Sequence, residues 1–316
     1  MVFHHLLQWF CLLSIISAEY LRKEHTLTRP YQAPFWDIVG QAIVTNQFVR
    51  LTADSQSQRG AVWNVKPVLY HNWEVHIQFH IHGKGADGLH GDGLAFWYVK
   101  EPGSVGPVFG YKDLFTGLAV IIDTYSNHNG PHNHRHPYVS AMVNNGTLSY
   151  DHDRDGTITE LAGCETGGRN KDYDTFMAVR YLDNKISVSM DVDNDKSWKE
   201  CFTVDQVFLP TGYYFGLSAA TGDLADNHDV ISVKFYELES SKAQEDDYSQ
   251  VEPRASIFSP PRDHVPDPKP GFFGGAWSGL KLLLIIVLVC VALGVIAGVG
   301  FLVFQRQQDN ARKRFY

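Results

Sequence analysis

Trp73-Glu74-Val75-His76-Ile77-Gln78-Phe79-His80-Ile81-His82 alternates without a break. Trp73, Val75, Ile77, Phe79 and Ile81 fall on one side, and Glu74, His76, Gln78, His80 and His82 on the other. That period of two marks a strand with one face on a core, and the second face reads as solvated. Gly93 to Val99, Gly117 to Ile122 and Pro137 to Val143 are further strands, and Trp36 to Val49 holds short alternating patches. Asn144-Asn145-Gly146 predicts a hairpin into Thr147 to Tyr150, and Asp183-Asn184 another between Thr175 to Tyr181 and Ile186 to Val192. Tyr213 to Ala219 and Val230 to Leu238 finish the set. Many short strands, close turn signals and almost no helical period predict an all-β, antiparallel jelly-roll β-sandwich.

Both ends of the chain lie outside that pattern. Residues 1–18 hold an apolar run closed by Ser17 and Ala18, so they resemble a secretory signal peptide, although the leading segment has no Lys or Arg. Leu282 to Phe304 carries no charge and is long enough for a membrane core of roughly 30 Å, so residues 280–304 are expected to be a transmembrane helix. Arg306, Arg312, Lys313 and Arg314 against Asp309 place residues 305–316 in the cytosol by the positive-inside rule. Residues 240–279 are acidic and then proline-rich, an extended stalk. The sandwich is left with residues 24–239. A net charge of -8 excludes a cationic nucleic-acid binder.

Cys11 falls in the signal and Cys290 in the span, leaving Cys164 and Cys201 as the pair in an oxidising lumen. A bridge between them would close a loop of about 37 residues and contribute about 3–4 kcal/mol. Asn145-Gly146-Thr147 is a sequon, making Asn145 a glycosylation candidate.

The functional candidates cluster in loops. Strand Leu118 to Ile122 runs into Asp123-Thr124-Tyr125-Ser126-Asn127, which offers a carboxylate, the Tyr125 carbonyl and an amide oxygen at alternate positions. Ca²⁺ prefers six to eight such hard oxygens in forgiving geometry. Asp151-His152-Asp153-Arg154-Asp155-Gly156 copies half of an EF-hand loop but has Ala162 where the bidentate Glu belongs; it offers a further carboxylate instead. Gly83-Lys84-Gly85-Ala86-Asp87-Gly88 mimics a dinucleotide loop, yet a strand follows it where the pyrophosphate needs a helix. Gly91-Asp92-Gly93 and Thr221-Gly222-Asp223-Leu224 are polar, glycine-bearing loops suited to close approach by a ligand.

Several long motifs carry a family resemblance. His90-Gly91-Asp92-Gly93-Leu94-Ala95-Phe96-Trp97, the Asp123 to Asn127 loop, Asn144 to His152, and Leu209-Pro210-Thr211-Gly212-Tyr213-Tyr214-Phe215-Gly216 occur in the order found in L-type (leguminous-type) animal lectins of the early secretory pathway. The chain resembles their short-stalked vesicular integral-membrane branch. The resemblance implies a concanavalin-like sandwich that binds high-mannose N-glycans of glycoproteins through Ca²⁺. It implies Asp123, Tyr125, Asn127 and Asp155 as metal ligands, and Ser57, Asp92, Asn127, His152, Gly222, Asp223 and Leu224 as carbohydrate contacts. Ser57 is matched by loop register only. It further implies a single-pass type I protein of endoplasmic reticulum, intermediate compartment and Golgi membranes, with Arg312, Lys313, Arg314, Phe315 and Tyr316 read by coat machinery.

The stretch His128-Asn129-Gly130-Pro131-His132-Asn133-His134-Arg135-His136 has no counterpart in that pattern. A site-tuning element, a transition-metal site and an inert loop all remain open for it. Together with His152 it motivates an expectation that glycan binding weakens in mild acid. Two rival functions also stand. One is a protein-binding adhesion ectodomain; the other is a glucanase, for which Asp191-Val192-Asp193-Asn194-Asp195 is the nearest acidic cluster, without a glutamate pair.

Overall fold

Alternating patterns and unbroken apolar runs both become strands in this protein, for different reasons. The computed structural model describes residues 19–31, 34–85, 89–127, 134–239, 247–256 and 278–312. In chain order the strands are β1 (Glu19–Leu21), β2 (Trp36–Gly40), β3 (Ile43–Val44), β4 (Val49–Thr52), β5 (Arg59–Asn64), β6 (Trp73–His82), β7 (Gly93–Val99) and β8 (Thr116–Asp123). There follow β9 (Tyr138–Asn145), β10 (Ala162–Glu165), β11 (Thr175–Leu182), β12 (Lys185–Asp191) and β13 (Lys199–Asp205). The last are β14 (Val207–Phe208), β15 (Tyr214–Ala220), β16 (Asn227–Leu238) and β17 (Arg254–Ala255).

They form two antiparallel sheets and a small clip. The back sheet runs β13-β12-β11-β6-β16-β4-β3, with β1 also on β16. The front sheet runs β10-β9-β8-β7-β15-β5-β2. The alternating face of β6 closes the space between them: Val75, Ile77, Phe79 and Ile81 pack with Phe96, Tyr98, Val120, Ile122, Phe215 and Phe235 in one core. The unbroken runs of β7 and β8 have a second cause. Their other face is covered by Val108, Phe109, Tyr111, Phe115 and Tyr150 from overlying loops, packed on Trp97, Ala119 and Ile121. Strands apolar on both sides therefore lie between two cores. At one edge, Cys164 of β10 and Cys201 of β13 form a disulfide that joins the two sheets.

The Asp183-Asn184 hairpin is present between β11 and β12, with both residues in the left-handed region that such turns need. The hairpin expected at Asn144-Asn145-Gly146 is not. Asn144 Oδ1 accepts the backbone N–H groups of Gly146, Thr147 and Leu148, and Asp113 accepts from Tyr150 N–H, so residues 147–150 are held as a loop. β9 pairs with β8 and β10, not with residues 147–150. Side-chain acceptors here outcompete a ladder.

The patches in Trp36 to Val49 resolve into β2, β3 and the start of β4, because Thr45 turns the chain by accepting from Gln47 and Phe48. The second face of β6 is half-buried, not solvated: His82 meets Asp229 at 3.1 Å and His80 meets the Lys171 carbonyl at 2.9 Å.

The folded region also exceeds 24–239 at both ends. β1 begins at Glu19, and residues 247–256, expected in the stalk, return to the domain. β17 pairs with β14, Tyr248 stacks on His71 at 3.5 Å, and Asn145 donates to Glu252. Residues 1–18, 240–246, 257–277 and 313–316 lie outside the described residues, so the signal, most of the stalk and the last four tail residues do too.

The remaining unit is one helix, α1 (Ser278–Arg312), longer than the 280–304 span expected and continuing into the expected tail. Its segment Ile286–Arg306 has mean hydropathy 3.0 and is long and apolar enough to cross a membrane.

Candidate functional site

The candidate residues converge where β7, β8 and β15 end together. β7 and β8 are paired so that Gly93 faces Asp123, and β7 and β15 so that Gly93 faces Ala220. Three loops thus leave one sheet end: Gly91-Asp92, Thr124 to Asn127, and Thr221 to Leu224. The joins are backbone hydrogen bonds. Asp92 N–H donates to Ala220 C=O at 3.0 Å, and Asp92 C=O accepts from Thr124 N–H at 2.9 Å and from its hydroxyl at 3.0 Å.

A fourth loop, residues 54–58, is stitched on top. Thr221 Oγ1 accepts from Gln58 N–H at 2.8 Å and donates to Ser55 C=O at 2.7 Å. Ser57 N–H donates to Gly222 C=O at 3.0 Å, and Gln56 donates to Asp223 C=O at 2.8 Å. Two glycines permit this closeness. A Cβ on Gly222 would stand 3.1 Å from an Asp92 carboxylate oxygen, and one on Gly91 3.1 Å from Tyr125 Cβ. Below the loop, Arg169 grips the fully buried Asp226 with two bonds of 2.8 Å.

The acidic stretch at 151–156 arrives from the second core. A short 3-10 turn, His152–Arg154, ends at Asp155 in a left-handed conformation. Gly156 is required there: its φ is +67°, and an added Cβ would meet the Tyr150 ring at 2.4 Å. Asp155 Oδ1 accepts Asn127 N–H at 2.9 Å, and Asp123 Oδ1 accepts Tyr125 N–H at 3.0 Å, so two carboxylates organise one loop. His136 lies between them, Nδ1 3.5 Å from Asp123 and Nε2 3.7 Å from Asp155.

Depth sorts the set by chemistry. Asp123, Thr124 and Asp155 are buried; Asp92, His152, Gly222 and Leu224 are half-buried; Ser57, Asn127 and Asp223 are exposed. Burial pushes the Asp123 carboxyl up to about 6, with Asp155 adding to the rise and His136 opposing it. Burial pulls the His136 imidazole down, but the two carboxylates together hold it above its usual value. Burial also raises Asp92, against His152, the Gly222 N–H and Arg59. Two carboxylates this deep, beside an amide loop, suit a hard cation better than water.

Every expected site residue outside the tail is thus described, and the metal-type and sugar-type sets meet in one place. Arg312 ends α1, while Lys313, Arg314, Phe315 and Tyr316 lie outside the described residues, as do His128 and His132. Sequence reasoning left His136 undecided and missed Thr124, Thr221 and Arg169 as supports. The available signal for His136 was its place before Pro137 and β9, whose register sets Tyr138 opposite Asp123. Elsewhere, His80, His82 and Asp229 hold ligand-capable atoms within 4.8 Å of one another among the described residues. Arg50 already supplies a cation there, bound to both Asp229 oxygens at 2.7 and 2.8 Å.

A two-sheet sandwich with buried carboxylates beneath polar loops at one sheet end is the architecture of a legume-type lectin. The chain belongs to the legume-like lectin family, whose model matches residues 18–245. Over 311 residues it is 46% identical to vesicular integral-membrane protein VIP36 of Canis lupus familiaris, covering 95% of this chain and 86% of that one. It is 36% identical to human protein ERGIC-53 over 217 residues, covering 68% of this chain and 42% of the relative. Among solved structures, the VIP36 exoplasmic/lumenal domain in its Ca²⁺/Man2-bound form matches with TM-score 0.73 and 47% identity over 75% of this chain and 98% of that domain. The Ca²⁺/Man3GlcNAc-bound form matches with TM-score 0.70 and 49% identity, over 74% and 99%.

Proposed function

We propose that this chain is a calcium-dependent lectin of early secretory membranes that binds high-mannose N-glycans and escorts the glycoproteins carrying them. One observation carries the reading: Asp92, Asn127 and the Gly222–Leu224 loop converge directly beside the buried Asp123 and Asp155 pair. The Ca²⁺- and mannoside-bound relatives support it. Asp123, Asp155, the Tyr125 carbonyl and the Asn127 amide oxygen would hold Ca²⁺, which when bound fixes the loop before a sugar arrives and lowers the ordering cost of binding. Asp92 accepts from vicinal hydroxyls and the Asn127 amide N–H donates to them, backbone groups of Gly222, Asp223 and Leu224 complete the cradle, and His152 and Ser57 flank it. Retention of the full chain on mannose resin in Ca²⁺, with release by chelator, is the expected result. A chain that flows through, or stays bound in chelator, contradicts it.

The chain is read as a single-pass type I protein with no catalytic residue. In the glucanase candidate, Lys199 binds both Asp193 and Asp195, at 2.7 and 2.8 Å, so neither is poised over a glycosidic bond. Cycling among endoplasmic reticulum, intermediate compartment and Golgi, with the Arg312 to Tyr316 tail read by coat machinery, belongs to the same reading. Deleting Phe315 and Tyr316 shifts the steady-state distribution toward the endoplasmic reticulum, visible by immunofluorescence, and an unaltered distribution removes the address. Asn145 is exposed, and its Nδ2 donates to Glu252 at 3.0 Å, so a glycan there would replace that contact.

A further inference from the structure

The back sheet carries a second groove, of about 610 Å³, on the side turned away from the inter-sheet core. Its floor is the outer face of three central strands: His76 and Gln78 of β6, Phe176 of β11, Ser232 and Lys234 of β16. Over it lies Trp198, 45% exposed, its ring 5.1 Å from that of His76 and 6.3 Å from that of Phe176. At the rim, Asp191 Oδ1 is shut off from solvent yet has no hydrogen-bond partner.

We propose that this groove is a second carbohydrate-binding site, taking one or two pyranose rings of a neutral glycan, without calcium, with a ring seated on Trp198.

Four features select that ligand. The C–H face of a pyranose is apolar and lies flat on an indole, so a half-exposed Trp held by neighbouring rings suits it. The rim mixes both signs, Asp172, Asp174 and Asp191 against Lys196 and Lys234, an excess of one negative charge, which disfavours an anionic ligand and is too small a field to hold a cationic one. It offers donors and acceptors side by side, as vicinal hydroxyls require. Finally, β11 and β6 are paired on both sides in this region, and the outer side of β16 is taken at Val233 by Leu27. An extended peptide laid across them finds no free ladder edge and leaves its own backbone groups unpaired. The volume falls within the ~300–1,000 Å³ of small-ligand sites.

The front site hangs from loops of the other sheet, so both can be filled at once. Two sites on one head would let a branched or clustered glycan raise its own effective concentration.

Saturation-transfer NMR on the full chain in detergent, with calcium chelated so that the front site is silent, tests this. The probes are methyl α-mannoside and diacetylchitobiose. Wild type should give saturable transfer from at least one of them. Trp198→Ala should weaken it at least about tenfold, ~1.4 kcal/mol. Trp198→Tyr, which keeps a ring, should retain most of it, and Gln78→Ala should weaken it with the ring in place. With calcium restored, Trp198→Ala should still bind mannose resin, which shows that it is folded and separates this groove from the front site. No saturation in chelated wild type, or equal saturation in Trp198→Ala, overturns the proposal. Trp198-dependent binding of a reduced, unglycosylated polypeptide in place of sugar also overturns it, in favour of a protein partner.

Discussion

Asp92 is held by its backbone on both sides, through Ala220 and Thr124, so its side chain contributes little to the loop's shape. Burial already disfavours its charge. Asp92→Asn should therefore leave stability nearly unchanged while removing charge-assisted bonds worth about 1.5–3 kcal/mol. Mannose affinity in saturating Ca²⁺, read by calorimetry, should fall about 10- to 100-fold. Undiminished affinity would leave Asp92 as a turn residue only. Asp123 sets a pH dependence of definite sign. Its folded value, about 6, lies above the ordinary 3.8, so the cost of a buried charge is borne above pH 6 and relieved as pH falls toward 3.8. Calcium needs the ionised form, so protons compete and calcium affinity should fall as pH drops through about 6. Calcium titrations between neutral pH and about pH 5 check this, and a flat profile refutes it. The expected acid response thus gains a carboxylate origin alongside the histidine one, with His136 placed between Asp123 and Asp155.

At the scale of elements, the loop after β15 depends on an ion pair of which it supplies only Asp226. Arg169 is 7% exposed and Asp226 0%, so Arg169→Ala strands a buried carboxylate. The expected cost is about 3–5 kcal/mol in chemical denaturation, accompanied by weaker mannose binding as Gly222 to Leu224 loosens. A variant as stable as wild type would show that water reaches Asp226. The same elements show what a sequence reveals. β6 was legible because one face meets a core and the other does not, and the β11–β12 hairpin because two left-handed residues announce it. β7 and β8 were legible as apolar runs, but the second core that makes them so comes from loops far along the chain. The hairpin misread after β9 failed on one side chain, Asn144, whose three accepted N–H groups carry no periodic signature. The site's ligand loops were readable as motifs. Their supports, Thr221 and Arg169, were not, since each acts on residues more than fifty positions away.

For the whole molecule, the Cys164–Cys201 bond ties the two sheets at one edge and closes a 37-residue separation. Replacing both with Ser should cost about 3–4 kcal/mol and lower the melting temperature, while Ca²⁺-dependent mannose binding survives at low temperature. Loss of binding with no loss of stability would tie the bond to the site instead. The return of residues 247–256 to the domain has a mechanical meaning. A pull on the chain beyond Ser256 first meets the β14–β17 ladder, two residue pairs long, then the Tyr248 stack on His71. Glu252 fastens to Asn145 at one end of β8 and β9, and Asp123 stands at the other, seven residue steps or about 23 Å of strand away. Tension therefore unfastens a small, re-formable clasp before it strains the loops that grip a sugar, and a loaded receptor can be tugged without dropping what it holds.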